Sequence, residues 1–125
     1  MATISRFTRV NTASRRFFLR IGALSGASAV LLGAHGAHAL KHSVHDTYRA
    51  QVFDIAKNYH FIHSLALFAV PLCRQPLLAG TLLTSGIVLF SGTCYLHSLY
   101  NMYKLRRYTP IGGVLLVAGW LALAI

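Results

Sequence analysis

Acidic residues are almost missing from this chain. Asp46 and Asp54 are the two acids among 125 residues, and all charged residues together make up 11% of the sequence. Soluble domains carry about 25% charged residues, so the composition argues against a soluble enzyme. With so few carboxylates we expect neither a hydrolase that works with a carboxylate pair nor a carboxylate-rich metal cage.

Cysteine is also scarce. Cys73 and Cys94 fit no spacing that is typical of a metal or redox motif. Both lie among apolar residues, so we interpret them as buried small hydrophobic side chains. No Ser, His and Asp spacing of a catalytic triad stands out either, and the sequence predicts that the protein is not an enzyme.

Apolar residues, by contrast, make up 55% of the chain, and they fall in four runs separated by short polar stretches. The 12 basic residues lie mainly in those polar stretches, which is the usual arrangement in membrane proteins. A nucleic-acid-binding protein would gather them on one soluble face. We therefore expect a lipid bilayer as the partner, and no nucleic acid.

The four apolar runs predict the fold. We place the membrane spans at about residues 21–40, 58–73, 77–100 and 110–125. Residues 47–58 repeat apolar side chains at helical spacing, so they form an amphipathic interfacial helix that runs into the second span, with Asp46 as its cap. The sequence thus predicts an all-α, integral membrane four-helix bundle with short antiparallel spans, built by residues 21–125.

The first 20 residues form a basic N-terminal segment. They contain five arginines, several serines and threonines, and no acid, which is typical of a mitochondrial targeting sequence. A bacterial twin-arginine signal is the alternative, since Arg15 and Arg16 precede an apolar run and an Ala37-His38-Ala39 cleavage pattern. The run at 21–40 is longer than the roughly 7–15 residues of a signal peptide, which favours a retained span.

Small residues recur at spacings that bring membrane helices close together. Gly22 and Gly26 form a G-x-x-x-G pair, and Thr84, Ser91 and Ser98 form a polar stripe that can hydrogen bond to another helix. The helix-packing residues predicted in this way are Gly22, Gly26, Gly33, Thr84, Ser91, Ser98, Gly112 and Gly113. They favour association with other membrane proteins or with a second copy of the chain.

These motifs together resemble a known family. Over about residues 20–125 the chain is similar to the transmembrane protein 256 family of animals, itself similar to small bacterial inner-membrane proteins of unknown function. The resemblance is carried by GALSG at 22–26, GAHGAH at 33–38, HFIHSLA at 60–66, LFSGTCY at 89–95, TPIGG at 109–113 and GW at 119–120. It implies a four-helix multi-pass membrane protein, mitochondrial in an animal, that keeps its first span. It implies no mechanism and no catalytic residue.

Seven histidines are the main chemical feature of so apolar a chain. His35 and His38 lie three residues apart, as do His60 and His63, so each pair shares one face of a helix. Following the chain through the membrane predicts that both pairs and His97 lie in the same leaflet. In this arrangement His38 stands opposite His63.

Clustered membrane histidines have three interpretations. Imidazoles from facing helices bind haem or metal ions, and the candidate cofactor-binding residues are His38, His63 and His97. Imidazoles also relay protons, or they serve structure alone through hydrogen bonds near helix ends. We expect His60 at the membrane interface, and His42 and His45 in solvent. No cofactor is predicted outright, and haem or metal stays an alternative.

These observations favour a non-enzymatic accessory or scaffolding component of the mitochondrial inner membrane. Two alternatives stay open. One is a haem- or metal-binding electron-transfer protein that uses the clustered histidines. The other is a small oligomeric transporter, which would depend on a carboxylate within the membrane. Asp54, at the edge of a span, is the one candidate for that carboxylate.

Overall fold

The computed structural model describes the backbone of residues 2–41 and 47–125, and the side chains of residues 12–38 and 47–125. Within these ranges the α-helices are α1 (Ala2–Lys41), α2 (Thr47–Leu67), α3 (Pro76–Ile87), α4 (Thr93–Tyr100) and α5 (Thr109–Leu123). A π-helical turn, Val88–Gly92, joins α3 to α4, and 3₁₀ turns lie at Val70–Leu72 and Tyr103–Arg107. The described ranges contain no strand, and the predicted all-α bundle is confirmed. The predicted cap Asp46 lies outside the described residues.

The first helix begins well before the first predicted span. Residues 12–20 continue into the apolar run without a break. Phe18, at 4% exposed, belongs to the main hydrophobic core, and a Cβ added to Gly80 of α3 would stand 2.5 Å from its ring. The arginine-rich segment is therefore attached to the bundle through Phe18.

The second helix runs unbroken from the predicted amphipathic segment into the predicted second span. It ends at Leu67, earlier than the expected Cys73. Pro71 has no N–H with which to continue the α-helical hydrogen bonds. Before it the hydrogen bonds shorten to a spacing of three residues, as where the N–H of Phe68 donates to the carbonyl of Leu65. The proline thus fixes the end of α2.

The predicted third span is one rod made of α3, the π turn and α4. Pro76 occupies its first turn, where the missing N–H costs nothing. The rod ends at Asn101, whose left-handed φ of 58° turns the chain. A Cβ added to Gly112 would lie 2.4 Å from the backbone nitrogen of Phe90, so α5 and the π turn meet backbone to backbone.

Glycines in α1 show how the first two helices are aligned. A Cβ added to Gly22 would lie 3.0 Å from the Cβ of Leu67, and one added to Gly33 would lie 3.2 Å from the Cδ of Lys57. Residue numbers rise along α1 as they fall along α2, so the two helices are antiparallel. The contact between Phe18 and Gly80 places the arginine-rich part of α1 level with the first turns of α3.

Two helices of the described part are long and apolar enough to cross a membrane, judged by length and composition. They are Thr12–His38 and Pro76–Tyr100. Thr109–Leu123 is apolar but shorter. The first of these stretches starts before the predicted span at 21–40 and includes three of the N-terminal arginines.

Arg49, near the start of α2, holds the end of α4. Its Nε donates to the carbonyl of Ser98 at 2.8 Å, and its Nη2 donates to the carbonyl of Leu99 at 3.0 Å. Carbonyls in a last helical turn lack partners within the helix, and a cation there is favoured by the helix dipole.

We expect Arg49→Met to lower the free energy of unfolding by about 2 kcal/mol, since hydrogen bonds to a charged group contribute roughly 1.5–3 kcal/mol. The measurement is the unfolding midpoint in detergent. Lys104→Met removes an equal charge at an exposed position and serves as the control. Equal midpoints for the two variants would contradict a stabilising role for Arg49.

Candidate functional site

Three histidines are buried among the described side chains, and they differ in their surroundings. His60 and His63 are each 6% exposed on α2, and His97 is 5% exposed on α4. His35 and His38 are exposed on α1. His42 and His45 lie outside the described residues, so their predicted solvation stays a prediction.

His60 lies at the junction of three helices. Its Nδ1 is 2.9 Å from the hydroxyl of Tyr95 on α4, and its Nε2 is 3.0 Å from the Oγ of Ser25 on α1. Ser25 Oγ is 2.6 Å from Ser64 Oγ, and the Ser64 hydroxyl donates to the backbone carbonyl of His60 at 2.6 Å. We call these four residues the His60 network. It connects α1, α2 and α4 through side-chain hydrogen bonds.

The donors of the His60 network can be assigned from one end. A hydroxyl has one proton, and that of Ser64 goes to the His60 carbonyl. Ser25 must therefore donate to Ser64, which leaves its oxygen to accept from His60 Nε2–H. In a neutral imidazole Nδ1 then accepts from the Tyr95 hydroxyl. Both ring nitrogens of His60 are used to join helices.

The structure buries His60 within the bundle, and its predicted position at the depth of the membrane interface stays a prediction. The ring lies inside the bundle, because small side chains on α1 let α2 approach closely enough for serine hydroxyls to reach it. A Cβ added to Gly22 would meet the Ser64 carbonyl at 3.2 Å, and one added to Gly26 would meet the Ser64 Cβ at 4.0 Å. Burial without partners would be costly for an imidazole, and the hydrogen bonds offset that cost.

His63 faces a different neighbour. Its Nδ1–H donates to the backbone carbonyl of Tyr59 at 2.6 Å, and its ring stacks on the Tyr59 ring at a centroid distance of 5.5 Å. Trp120 of α5 meets it edge-on at 6.0 Å. His63 therefore lies between α2 and α5, whereas His60 faces α1 and α4.

The three candidate cofactor-binding histidines do not share one height, because His63 lies far along α2 from the other two. On α1, Gly26 lies beside Ser64, next to His63, and Gly36 lies against the ring of Phe53 near the start of α2. His38 is therefore about 18 Å further along α1 than the position opposite His63, at 1.5 Å per residue. The expectation that His38 stands opposite His63 is corrected by this antiparallel alignment.

His97 lies near the start of α2 as well. Its ring packs beside that of Tyr48, with centroids 5.7 Å apart. From Tyr48 to His63 is about 22 Å along α2, so His97 and His63 do not share a site. Cofactor binding by His38, His63 or His97 stays a prediction, and no shared cradle for the three exists.

Ser91 and Ser98 of the predicted polar stripe are buried and Thr84 is half-buried, but the stripe does not make the expected bonds to another helix. Ser98 is fully buried, and its hydroxyl donates within its own helix to the carbonyl of Tyr95. The hydroxyls of Thr84 and Ser91 have no hydrogen-bond partner among the described residues. Tyr95, which sequence reasoning missed, makes the cross-helix bond. It lies four residues after Ser91 on the same face, a position that the seven-residue repeat alone does not mark.

The remaining predicted packing residues lie at helix contacts of different tightness. Gly22, Gly33 and Gly112 each face an atom of a neighbouring helix within 3.2 Å of a built Cβ. Gly113 is looser, at 3.7 Å from the ring of Phe90. Sequence reasoning missed equally close contacts at Gly36, Gly80, Gly86 and Gly119. Isolated glycines in apolar helices carry no pair pattern that would single them out.

The polar atoms of the described part are suited to structure more than to ligand capture. Asp54, the candidate transporter carboxylate, is 67% exposed on α2 and pairs with Lys57 at 3.5 Å. Among the described side chains no group of three His, Cys, Asp or Glu residues is arranged to hold a metal ion. The arrangement as described can fix helices in register and bury a neutral hydrogen-bond network.

Comparisons with known proteins identify relatives along most of the chain. A family profile described as "Protein of unknown function (DUF423)" matches residues 32–113. The chain is 37% identical over 117 residues to the UPF0382 membrane protein YwdK of Bacillus subtilis, a match that covers 88% of this chain and 94% of that protein. A UPF0382 membrane protein of Staphylococcus epidermidis is 39% identical over 115 residues, with 88% and 93% covered. A UPF0382 membrane protein of Schizosaccharomyces pombe is 40% identical over 108 residues, with 80% and 92% covered. No solved structure matches the chain.

Proposed function

Because the chain belongs to the DUF423 family of membrane proteins of unknown function, we propose that it is a multi-pass, non-enzymatic accessory or scaffolding protein. One observation carries the proposal. The buried polar side chains of the His60 network are used to connect α1, α2 and α4. A rigid bundle whose internal polar atoms bind one another is suited to presenting its outer faces to partners.

Those outer faces are long and apolar. On α5, Val114, Val117 and Leu121 are 69%, 60% and 65% exposed and lie on one side of the helix. On α1, Leu24 and Leu31 are about equally exposed, at 70% and 71%. Such faces fit either lipid or the helices of another membrane protein. Association with other membrane proteins or with a second copy is part of the proposal.

The proposed membrane is the mitochondrial inner membrane. The arginine-rich, acid-free first 20 residues support it, because import into mitochondria favours basic, acid-poor helices. The fission yeast relative is compatible with a eukaryotic setting. The relatives in bacteria are also named membrane proteins, so membrane association does not depend on the mitochondrial part of the proposal.

We expect the tagged chain to fractionate with mitochondrial inner membranes and to migrate above its own size on a native gel after mild solubilisation. A triple variant, Val114→Ala, Val117→Ala and Leu121→Ala, tests the α5 face, and Leu24→Ala with Leu31→Ala tests the α1 face. If one of these variants migrates as the free small species, the face that it changes is the face that contacts the partner. A chain that runs only as a small species, with or without these changes, would contradict the scaffold.

An optical spectrum of the purified protein separates the electron-transfer alternative from the scaffold. A scaffold gives no haem band and no stoichiometric metal. A band or metal that disappears in His63→Ala would favour electron transfer instead. The same preparation with His35→Ala, which changes an exposed histidine, is the matched control.

A further inference from the structure

A groove opens between residues 12–20 of α1 and the first turns of α3. Its walls include Arg16 and Arg20 on α1, and Thr81, Thr84 and Ser85 on α3. Phe17 and Leu77 also line it and are 56% and 64% exposed. Charge, hydroxyl groups and apolar surface therefore meet in one open groove at one end of the bundle.

The cations of the groove have no acid nearby in the described part of the chain. Arg16 and Arg20 are four residues apart, so they project from the same side of α1. Asp54 is the acid of that part, and it lies on α2 in a pair with Lys57. The beginning of α3, whose free N–H groups carry partial positive charge, adds to the positive potential. An anionic group is the complement of this end of the bundle.

The groove is held in place by the core beneath it. Phe18, between the two arginines, is 4% exposed and packs on Gly80. Because α1 and α3 run in the same direction, this contact places Arg16 about 3 Å and Arg20 about 9 Å beyond the level at which α3 begins, at 1.5 Å per residue. That level is where an apolar helix leaves the hydrocarbon and reaches the headgroups.

We propose that this groove binds one anionic phospholipid, with its phosphate at Arg16 and Arg20 and an acyl chain along Phe17 and Leu77. Basic pockets between membrane helices bind anionic headgroups in this way. The exposed apolar walls distinguish a lipid from a free phosphate, which would gain nothing from them. The site goes beyond the scaffold proposal and does not depend on it.

The test uses the full chain purified in nanodiscs, with native mass spectrometry to count retained lipid. The probes are cardiolipin, phosphatidylglycerol and phosphatidylcholine, added separately. We expect both anionic lipids to be retained and phosphatidylcholine to be lost. The double variant Arg16→Gln and Arg20→Gln is expected to lower retention of the anionic lipids about 10- to 30-fold.

The control variant removes the same charge elsewhere. Arg106→Gln with Arg107→Gln changes two exposed cations in the turn before α5 and should leave retention unchanged. An equal loss in both double variants would show diffuse charge attraction and overturn the site. Equal retention of phosphatidylcholine would overturn it too, as would full displacement of the lipid by glycerol phosphate. All variants must keep the unfolding midpoint of the unchanged protein, and the single variant Arg16→Gln, at an exposed position, provides the test if the double arginine variant does not.

The site also requires that the arginines stay on the working protein. The intact mass of the chain isolated from its own membrane measures this directly. We expect a chain that retains Arg16 and Arg20, because Phe18 between them is part of the core. A mature chain that begins after residue 20 would overturn the lipid site and leave the scaffold proposal intact. A chain that migrates only as a small species on the native gel would overturn the scaffold proposal and leave the lipid site intact.

Discussion

Gly112→Ala is expected to destabilise the protein by about 3 kcal/mol. A Cβ at this position would lie 2.4 Å from the backbone nitrogen of Phe90 and 2.7 Å from the carbonyl carbon of Leu89. Overpacking costs about 1–3 kcal/mol, and the upper value applies here because backbone atoms cannot rotate away as a side chain does. The measurement is the unfolding midpoint in detergent, followed by circular dichroism.

The next residue provides the matched control. A Cβ on Gly113 would lie 3.7 Å from the Phe90 ring, which is ordinary van der Waals contact. Gly113→Ala should be neutral or stabilise by up to about 1 kcal/mol, since alanine is the better helix former. Similar midpoints for Gly112→Ala and Gly113→Ala would contradict the close backbone contact between α5 and the π turn.

His60→Leu is expected to destabilise the protein by about 2–4 kcal/mol. Leucine fills a similar volume but leaves the Tyr95 hydroxyl and the Ser25 oxygen without their partner inside the bundle. Each unsatisfied buried group costs roughly 1–3 kcal/mol. The unfolding midpoint again measures the loss, and an unchanged far-ultraviolet spectrum would show that the helices are retained.

A double-mutant cycle isolates the bond between His60 and Tyr95. The variants are His60→Leu, Tyr95→Phe and the combination of both. We expect a coupling energy of about 0.6–1.7 kcal/mol, the range found for hydrogen bonds between membrane helices. His35→Leu, at an exposed position, combined with Tyr95→Phe is the control and should be additive within about 0.5 kcal/mol. Additivity in the His60 cycle would mean that the 2.9 Å contact contributes nothing.

Helix positions follow from local patterns, which is why the sequence predicted most of the fold. Apolar runs and polar breaks mark helices by period and length, and Pro76 and Pro110 lie in the first turns of α3 and α5 as proline rules require. The end of α2 was misplaced because Pro71 acts several residues upstream of itself. The π turn at Val88–Gly92 has no sequence signal of its own, since it depends on how α5 packs against it.

The candidate site was predicted less well because it depends on pairing between helices. A histidine spacing shows which residues share a face, and the burial of His60 and His63 fits that face. It does not show which residue of another helix stands opposite, since that alignment is set by close contacts such as Gly36 against Phe53. An error in alignment of a few turns is enough to separate His38 from His63.

The direction of the hydrogen bonds around His60 has a consequence for charge transport. The donors run from Tyr95 through the imidazole to Ser25 and Ser64, and the last acceptor is the backbone carbonyl of His60 itself. A chain of hydrogen bonds conducts protons only if its last group can take up a proton and donate one onward. A backbone carbonyl oxygen accepts a hydrogen bond but has no proton to donate. The His60 network therefore links α1, α2 and α4 through hydrogen bonds, and it ends at a carbonyl that does not pass a proton on.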